Sequence, residues 1–280
     1  MKATGAPAVH PILRGTPDGR SAPVLTIRGA AHVPAPAGEW WKAPFAGGGG
    51  VTVAATHVPG DPDSVLRLYR IDGADRAPRR IPLAPIHSPL LYGMSLSPDG
   101  SHVALVVDRE QNGCEQVLLV PVSGGAPATV LMTTRGDTHV FDVSLGPDGV
   151  LLAVVDLLSQ RRELLLHDTG SRIAADGERG IFQIVAAAVS PSGTSVAVAS
   201  TRHDGARFVV SLMPMNGEDE RVLYERPAAR TDPAQADLAF DAAGERLLVG
   251  YGDVVLLDVA GAGHSLLMRA EPAHWNRVAW

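Results

Sequence analysis

The sequence predicts an all-β fold of repeated four-strand units, and three observations support the prediction. A turn phrase flanked by two apolar runs recurs five times along the 280 residues. The glycines that close its copies are 44 to 51 residues apart. No helical periodicity of useful length appears, and 30 Gly and 22 Pro interrupt the chain throughout. A period of about 40–50 residues with four short strands per unit is typical of blades, so a β-propeller is the predicted fold.

The recurring phrase is a tight turn, and the residue types in it explain its form. Proline presets φ at the second position, Asp or Ser suits the flanking positions, and glycine accepts a left-handed exit. Such a turn between two apolar runs predicts a hairpin. The copies are Gly47 to Gly50, Ser97-Pro98-Asp99-Gly100, Gly146-Pro147-Asp148-Gly149, Ser190-Pro191-Ser192-Gly193 and Asp241-Ala242-Ala243-Gly244.

Four candidate strands fall in each well-marked unit. They are 90–96, 102–108, 115–122 and 128–133 in the second unit, 140–145, 150–156, 162–167 and 171–175 in the third, and 184–189, 194–201, 208–213 and 221–224 in the fourth. Continuous blades are therefore predicted at about 40–84, 87–133, 138–176, 182–225 and 234–270.

The phrase Ser97-Pro98-Asp99-Gly100, with an apolar residue before it and a small-apolar strand after it, resembles the TolB-type propeller repeat, a relative of the WD-repeat blade. The resemblance extends over about five units. It implies a closed ring of blades around a central channel. Members serve as protein-binding platforms, as sensor domains and as gates in front of peptidase domains, and some propellers are enzymes. The resemblance therefore predicts the architecture and leaves the activity open.

Both ends of the chain contain strand-like segments that belong to no complete unit. The last residue, Trp280, aligns with the end of an innermost strand, and strand-like residues near the N-terminus flank a turn of their own. We therefore predict one propeller domain over residues 1–280, with six blades, the sixth composed of residues 1–30 and 274–280. A five-bladed ring with a loose N-terminal arm is the alternative.

Composition argues against several classes of partner. The net charge is −6, Lys2 and Lys42 are the only lysines, and no basic stripe is present, so nucleic acid is not an expected partner. No apolar run approaches the roughly 18 residues of a membrane span, and the N-terminus has no secretory pattern. The single cysteine, Cys114, predicts no internal disulfide. A cytoplasmic monomer without cofactor or bound metal is expected.

Candidate site residues cluster where the chain leads into each innermost strand, because these loops converge at one face of a propeller. Alignment of the turns places His139 and His274 in one column, and Asp142, Asp237 and Arg277 in a second, deeper column. Residues in one column are expected to form a ring at one height in the channel. The ligand-contacting candidates at the same mouth are Trp40, His87, Tyr92, Gln183 and Trp275. For Trp41 we predict packing between blades.

Two functions remain open from these residues. In the first, the disc binds a small ligand or a protein at the channel mouth without changing it. In the second, it is an enzyme in which His139, His274, Asp142 and Asp237 transfer protons and Arg277 stabilises negative charge. Elimination, cyclisation or hydrolysis of a small metabolite would suit such a site. A purely structural alternative is that these polar groups line a water-filled channel and bridge neighbouring blades.

Overall fold

A computed structural model describes residues 12–14, 21–22, 24–27, 31–48, 50–61, 65–72, 77–87, 90–108, 114–134, 136–203, 205–228, 236–261, 263–268 and 276–278. These residues form 26 β-strands. The first blade contains β5 (Trp40–Gly48), β6 (Val51–His57), β7 (Val65–Asp72), β8 (Arg79–Arg80) and β9 (Ile86–His87), and the two-residue strand β2 (Ser21–Ala22) pairs with the channel edge of β5.

The next four blades are regular four-strand meanders. The second contains β10 (Leu90–Leu96), β11 (His102–Asp108), β12 (Glu115–Pro121) and β13 (Thr129–Thr133). The third contains β14 (Thr138–Leu145), β15 (Val150–Asp156), β16 (Arg162–Leu166) and β17 (Arg172–Ala175). The fourth contains β18 (Ile181–Val189), β19 (Ser195–Arg202), β20 (Arg207–Pro214) and β21 (Arg221–Pro227). The fifth contains β22 (Asp237–Phe240), β23 (Arg246–Tyr251), β24 (Asp253–Asp258) and β25 (His264–Met268). The all-β propeller predicted from the sequence is confirmed.

The core lies between the blades, which explains why the second strand of each unit is a continuous apolar run. Successive side chains of a strand point to opposite faces of its sheet. In β11, Leu105 belongs to a core cluster that includes Val53 of the first blade, whereas Val106 belongs to a cluster that includes Leu152 of the third blade. Both faces of the strand are buried, so alternation between apolar and polar residues is absent.

The recurring turns connect the innermost strand of each blade to the second strand. Gly50, Gly100, Gly193 and Gly244 have positive φ angles between 70° and 80°, as the turn chemistry predicted. The copy at Gly149 differs: β15 begins at the next residue, and the amide of Gly146 donates to the carbonyl of Gly149 over 2.9 Å. This turn has four residues between its strands rather than the five of the second blade, and Gly149 does not have a positive φ angle.

The structure has five blades rather than the six predicted. The remaining described strands, β1 (Ile12–Arg14), β3 (Val24–Ile27), β4 (Ala31–Pro34) and β26 (Asn276–Val278), form a separate small sheet in the order β26-β1-β3-β4. They are only three or four residues long, whereas the second strands of the full blades have six to eight. The prediction counted these terminal strands as a full blade.

No helix in the described part of the chain has the length and apolar character needed to cross a membrane. The expected cytoplasmic location and monomeric state stay predictions.

Candidate functional site

The innermost strands of all five blades line a polar cavity of about 70 Å³ in the central channel. We call the end of the channel at which these strands begin the upper face, and the end with the recurring turns the lower face. The cavity is lined by Pro44, Phe45, Tyr92, Met94, Ser95, Asp142, Val143, Ser144, Ala187, Asp237 and Leu238. A second cavity of about 110 Å³ continues from it to the lower face.

Two carboxylates from different blades face this cavity. Asp142 comes from β14 of the third blade and Asp237 from β22 of the fifth, and both are partly exposed. The alignment of the turns predicted one height for these two residues, and both line this one cavity. Oδ1 of Asp142 accepts a hydrogen bond of 2.9 Å from the backbone N–H of Val143, which fixes one carboxylate oxygen near the backbone.

A β-bulge repeats at this height of the channel. The pairing of the innermost with the second strand skips one residue, namely Tyr92 in β10, Phe141 in β14 and Val185 in β18. A bulge bends a strand and redirects its side chains. The residue after the bulge is Gly93 in β10, Asp142 in β14 and Ala186 in β18. The bulge therefore affects the direction of the Asp142 side chain.

Gly93 fits closely against the neighbouring Asp142. A Cβ atom at Gly93 would lie 3.2 Å from the Cα of Asp142 and 3.3 Å from its Oδ1. The absence of a side chain in the second blade therefore leaves room for the carboxylate of the third blade.

His139 lies in β14 nearer the upper face, and a buried acid holds it. Its Nδ1 is hydrogen-bonded to Oε1 of Glu115, and the Glu115 residue is only 1% exposed. The hydroxyl of Thr134 donates to Oε2 of Glu115 over 2.8 Å. The ring of Tyr92 meets the imidazole edge-to-face, with centroids 4.8 Å apart. Tyr92 therefore connects the cavity to the His139–Glu115 pair.

The sequence analysis missed Glu115 and Thr134. Glu115 is the charged first residue of strand β12, in which an apolar run begins at Val117, and this position was a detectable signal. The contact itself joins the third strand of one blade to the innermost strand of the next, so neither blade shows it alone.

A second polar contact joins the third and fourth blades at a comparable position. The Arg162 guanidinium lies over the ring of Phe141, 4.8 Å from its centroid, and donates to the carbonyl of Ile184 over 2.5 Å. Oδ1 of Asp176 accepts from the backbone N–H of Ile184 over 2.7 Å. Burial raises the pKa of Asp176 and lowers the pKa of Arg162, because it disfavours both charged forms. These contacts of Arg162 and Asp176 connect the third blade to the fourth, and the sequence analysis did not identify them.

Three predicted ligand-contacting residues lie away from the cavity. Trp40 is 41% exposed at the start of β5, and His87 is exposed in the outer strand β9. His87 was expected beside an innermost strand, but the fourth strand of the first blade is split and its second piece contains the residue. Gln183 lies in β18, nearer the upper face than the cavity. The residue of β18 that lines the cavity is Ala187.

The remaining predicted residues belong to the C-terminal segment. His274 and Trp275 lie outside the described residues. Arg277 is in β26, where its backbone pairs with Leu13, and its side chain lies outside the description. Of the five residues predicted to be catalytic, Asp142 and Asp237 line the cavity and His139 contacts Tyr92 beside it, whereas the side chains of His274 and Arg277 lie outside the description.

Within the described ranges, no group of three or more His, Cys, Asp or Glu side chains is arranged to hold a metal ion. Trp41 is buried, as predicted, and its indole N–H donates to the carbonyl of Val33 over 3.0 Å.

No protein-family model matches the sequence, and no curated protein matches it. Solved structures do match over most of its length. TolB from Acinetobacter baumannii is 14% identical, with a TM-score of 0.57, and the match covers 97% of this chain and 66% of TolB. Hydrazine synthase from Kuenenia stuttgartiensis is 14% identical, with a TM-score of 0.53 over 92% of this chain and 80% of that one. A protein from Lactobacillus plantarum is 16% identical, with a TM-score of 0.51 over 94% of this chain and 82% of that one. The chain therefore has the β-propeller fold and is similar in structure to TolB.

Proposed function

We propose that this propeller binds a small polar ligand at the upper mouth of its central channel. The observation that supports the proposal is the convergence of Tyr92, Asp142 and Asp237, from three blades, on one cavity. Polar groups that converge on one cavity from several elements are typical of ligand sites.

The size and charge of the cavity define the ligand class. A volume of about 70 Å³ holds a few water molecules or one polar head group. The charged residues among the described lining are Asp142 and Asp237, which favour an ammonium group or hydroxyl donors. The remainder of the ligand would extend past His139 to the upper face.

A thermal-shift screen with amino acids, polyamines and monosaccharides tests this proposal. A ligand at one hundred times its Kd stabilises the folded state by about 2.7 kcal/mol, which is easily detected. We expect a hit whose shift is lost in Asp142→Asn and in Asp237→Asn but retained in Asp219→Asn, an exposed carboxylate outside the channel. A shift that survives both channel substitutions would contradict this site.

Gly93→Ala is a second probe of the same cavity, because the new Cβ would push against the backbone of Asp142. We expect loss of ligand binding and a stability cost of about 1–3 kcal/mol. Gly263→Ala, in which the added Cβ makes an ordinary 3.8 Å contact, is the matched control.

An enzyme is the alternative, and the His139–Glu115 contact favours it. A buried carboxylate that orients an imidazole is a frequent arrangement in acid–base catalysis. If a ligand from the screen is converted by elimination, cyclisation or hydrolysis, His139→Ala should abolish turnover and Asp142→Ala should reduce it. Full activity in both variants would leave only the binding function.

We further propose that the small terminal sheet bridges the fifth and first blades and so closes the five-bladed ring. Strand β26 contacts β22, β23 and β24 of the fifth blade and also β5 of the first blade. The hydrogen bond from Trp41 in β5 to Val33 in β4 supports the same arrangement.

A further inference from the structure

A groove on the lower face lies outside the channel site. Between the second and third blades it has a volume of about 530 Å³, and between the third and fourth a further compartment has about 210 Å³. Both compartments are lined by Gly146, Pro147, Gly149 and Val150 of one turn and by His167 and Asp168. These shared residues of the third blade stand between the two compartments, which lie side by side across the turns of three consecutive blades, and we call the pair the groove.

The floor of the groove is apolar. Leu119, Leu131 and Val150 line the larger compartment, and Leu166, Val189 and Met215 line the smaller one. Most of these side chains are only partly buried against the protein, so apolar area remains for a partner to cover.

The rim of the groove is acidic. Asp99 borders the larger compartment, Asp148 the smaller one, and Asp168 borders both. Among the described residues that line the groove, none is Lys or Arg. Asp148 and Asp168 are exposed.

The carboxylates lie close to the turns of the lower face. A Cβ at Gly149 would lie 3.1 Å from Oδ2 of Asp168, and a Cβ at Gly193 would lie 2.9 Å from Oδ2 of Asp148. Asp168 therefore lies against a glycine turn of its own blade, whereas Asp148 lies against the turn of the fourth blade. Asp99 is held by hydrogen bonds from Ser97 and Ser101, and these lower its pKa to about 2, so it is ionised at neutral pH.

We propose that this groove binds an extended segment of a partner protein in which apolar side chains alternate with arginine or lysine. The two compartments would take successive apolar side chains, and the three carboxylates would pair with the basic residues between them. An extended chain suits the elongated shape, and the charge of the rim selects a basic sequence. This surface lies on the opposite face from the ligand site and does not depend on the function proposed there.

The test uses the full chain and a fluorescein-labelled hexapeptide of alternating leucine and arginine, followed by fluorescence polarisation. We expect saturable binding that weakens with salt, because exposed ion pairs are screened. A glycine–arginine hexapeptide and a leucine–glutamate hexapeptide should both bind at least about tenfold more weakly. Equal binding of the glycine–arginine peptide would overturn the proposal, because charge alone would then explain the affinity.

Matched variants locate the site. Asp168→Asn and Asp148→Asn should each weaken binding by about two- to fivefold, whereas Asp137→Asn, an exposed carboxylate on the upper face, should not. Leu131→Gln should weaken binding by about tenfold, whereas Val130→Gln, at the neighbouring position of β13 and 49% exposed, should not. Thermal unfolding of each variant confirms that it is folded.

Two further results would overturn the proposal. The first is a set of groove variants that bind the leucine–arginine peptide as well as the wild type does. The second is concentration-dependent dimerisation of the chain, measured by light scattering, that Leu131→Gln abolishes, because the groove would then be covered by a second copy.

Discussion

At the scale of single residues, buried polar groups in this propeller are placed where one blade meets the next. Glu115 is the clearest case, because its carboxylate is buried and its partners, Thr134 and His139, belong to two blades. A buried carboxylate is costly unless hydrogen bonds compensate for its loss of water. The contact therefore orients His139 and also links the second blade to the third.

Substitution of Glu115 tests this double role. Glu115→Ala should lower the free energy of unfolding by about 2–4 kcal/mol, because it leaves Thr134 and His139 without their acceptor. Glu163→Ala, which removes surface ion pairs with Arg161 and Arg172, should cost less than about 1 kcal/mol. Urea denaturation measures both, and equal costs would contradict the interpretation.

The turn of the second blade predicts a pH dependence of stability. Hydrogen bonds from the Ser97 hydroxyl and from the backbone and hydroxyl of Ser101 lower the pKa of Asp99 from 3.8 to about 2. Because the folded pKa lies below the unfolded value, the stabilisation is complete above about pH 4 and is lost as the pH falls through 2. The stability difference between wild type and Asp99→Asn, from urea denaturation between pH 5 and 2, should shrink over that interval. A constant difference would exclude a role for this carboxylate. The fourth blade has Ser192 at the same position and provides an uncharged comparison.

At the scale of strands, the innermost strands are joined by serine hydroxyls at one repeat position. The Ser95 hydroxyl accepts from the backbone N–H of Leu145 over 2.9 Å, and the Ser144 hydroxyl accepts from that of Val189 over 2.8 Å. The same position in the fourth blade is Ala188, so this bridge occurs between some blades and not others.

Removal of one bridge should be measurable. Ser144 is buried, and Ser144→Ala would leave the N–H of Val189 without its acceptor, at a cost of about 1–3 kcal/mol. Ser123→Ala, at an exposed turn, should change stability by less than about 0.5 kcal/mol. Comparable urea midpoints for the two variants would show that the bridge contributes nothing.

The strands themselves could be predicted from the sequence, whereas the bulges could not. Apolar runs and turn residues determine where β11, β15 and β19 begin and end, and these signals are local. The shift at Tyr92, Phe141 and Val185 depends on how neighbouring innermost strands crowd around the channel. That Asp142 and Asp237 face one cavity was predictable because both are counted from the same repeated turn, but the partner of His139 was not.

At the scale of the whole molecule, the pairing of β1 with β26 brings the two ends of the chain together. Ile12 pairs with Val278, Leu13 with Arg277 and Arg14 with Asn276. This pairing joins two strands that are distant in sequence, as the closure of a propeller ring requires. The sequence analysis predicted the meeting of the ends but overestimated the sheet they form, since pattern alone gives no measure of strand length at a chain end.

A disulfide across this junction tests the proposed closure. Ile12→Cys combined with Val278→Cys, in a Cys114→Ser background, should form a cross-link and raise stability by about 2–5 kcal/mol under oxidising conditions. The gain should disappear on reduction, and Ile12→Cys alone should show none. Failure of the oxidised double variant to cross-link, judged by gel mobility, would argue against the pairing.

Trp41 gives the seam between the terminal sheet and the first blade an optical signal. Its indole is 1% exposed and bound to Val33 across that seam. In a variant in which the other three tryptophans are replaced by phenylalanine, separation of the two sheets would expose Trp41 to solvent. Its fluorescence emission would then shift to longer wavelength. The rate at which the terminal sheet separates from the first blade could then be measured by fluorescence while the blades stay folded.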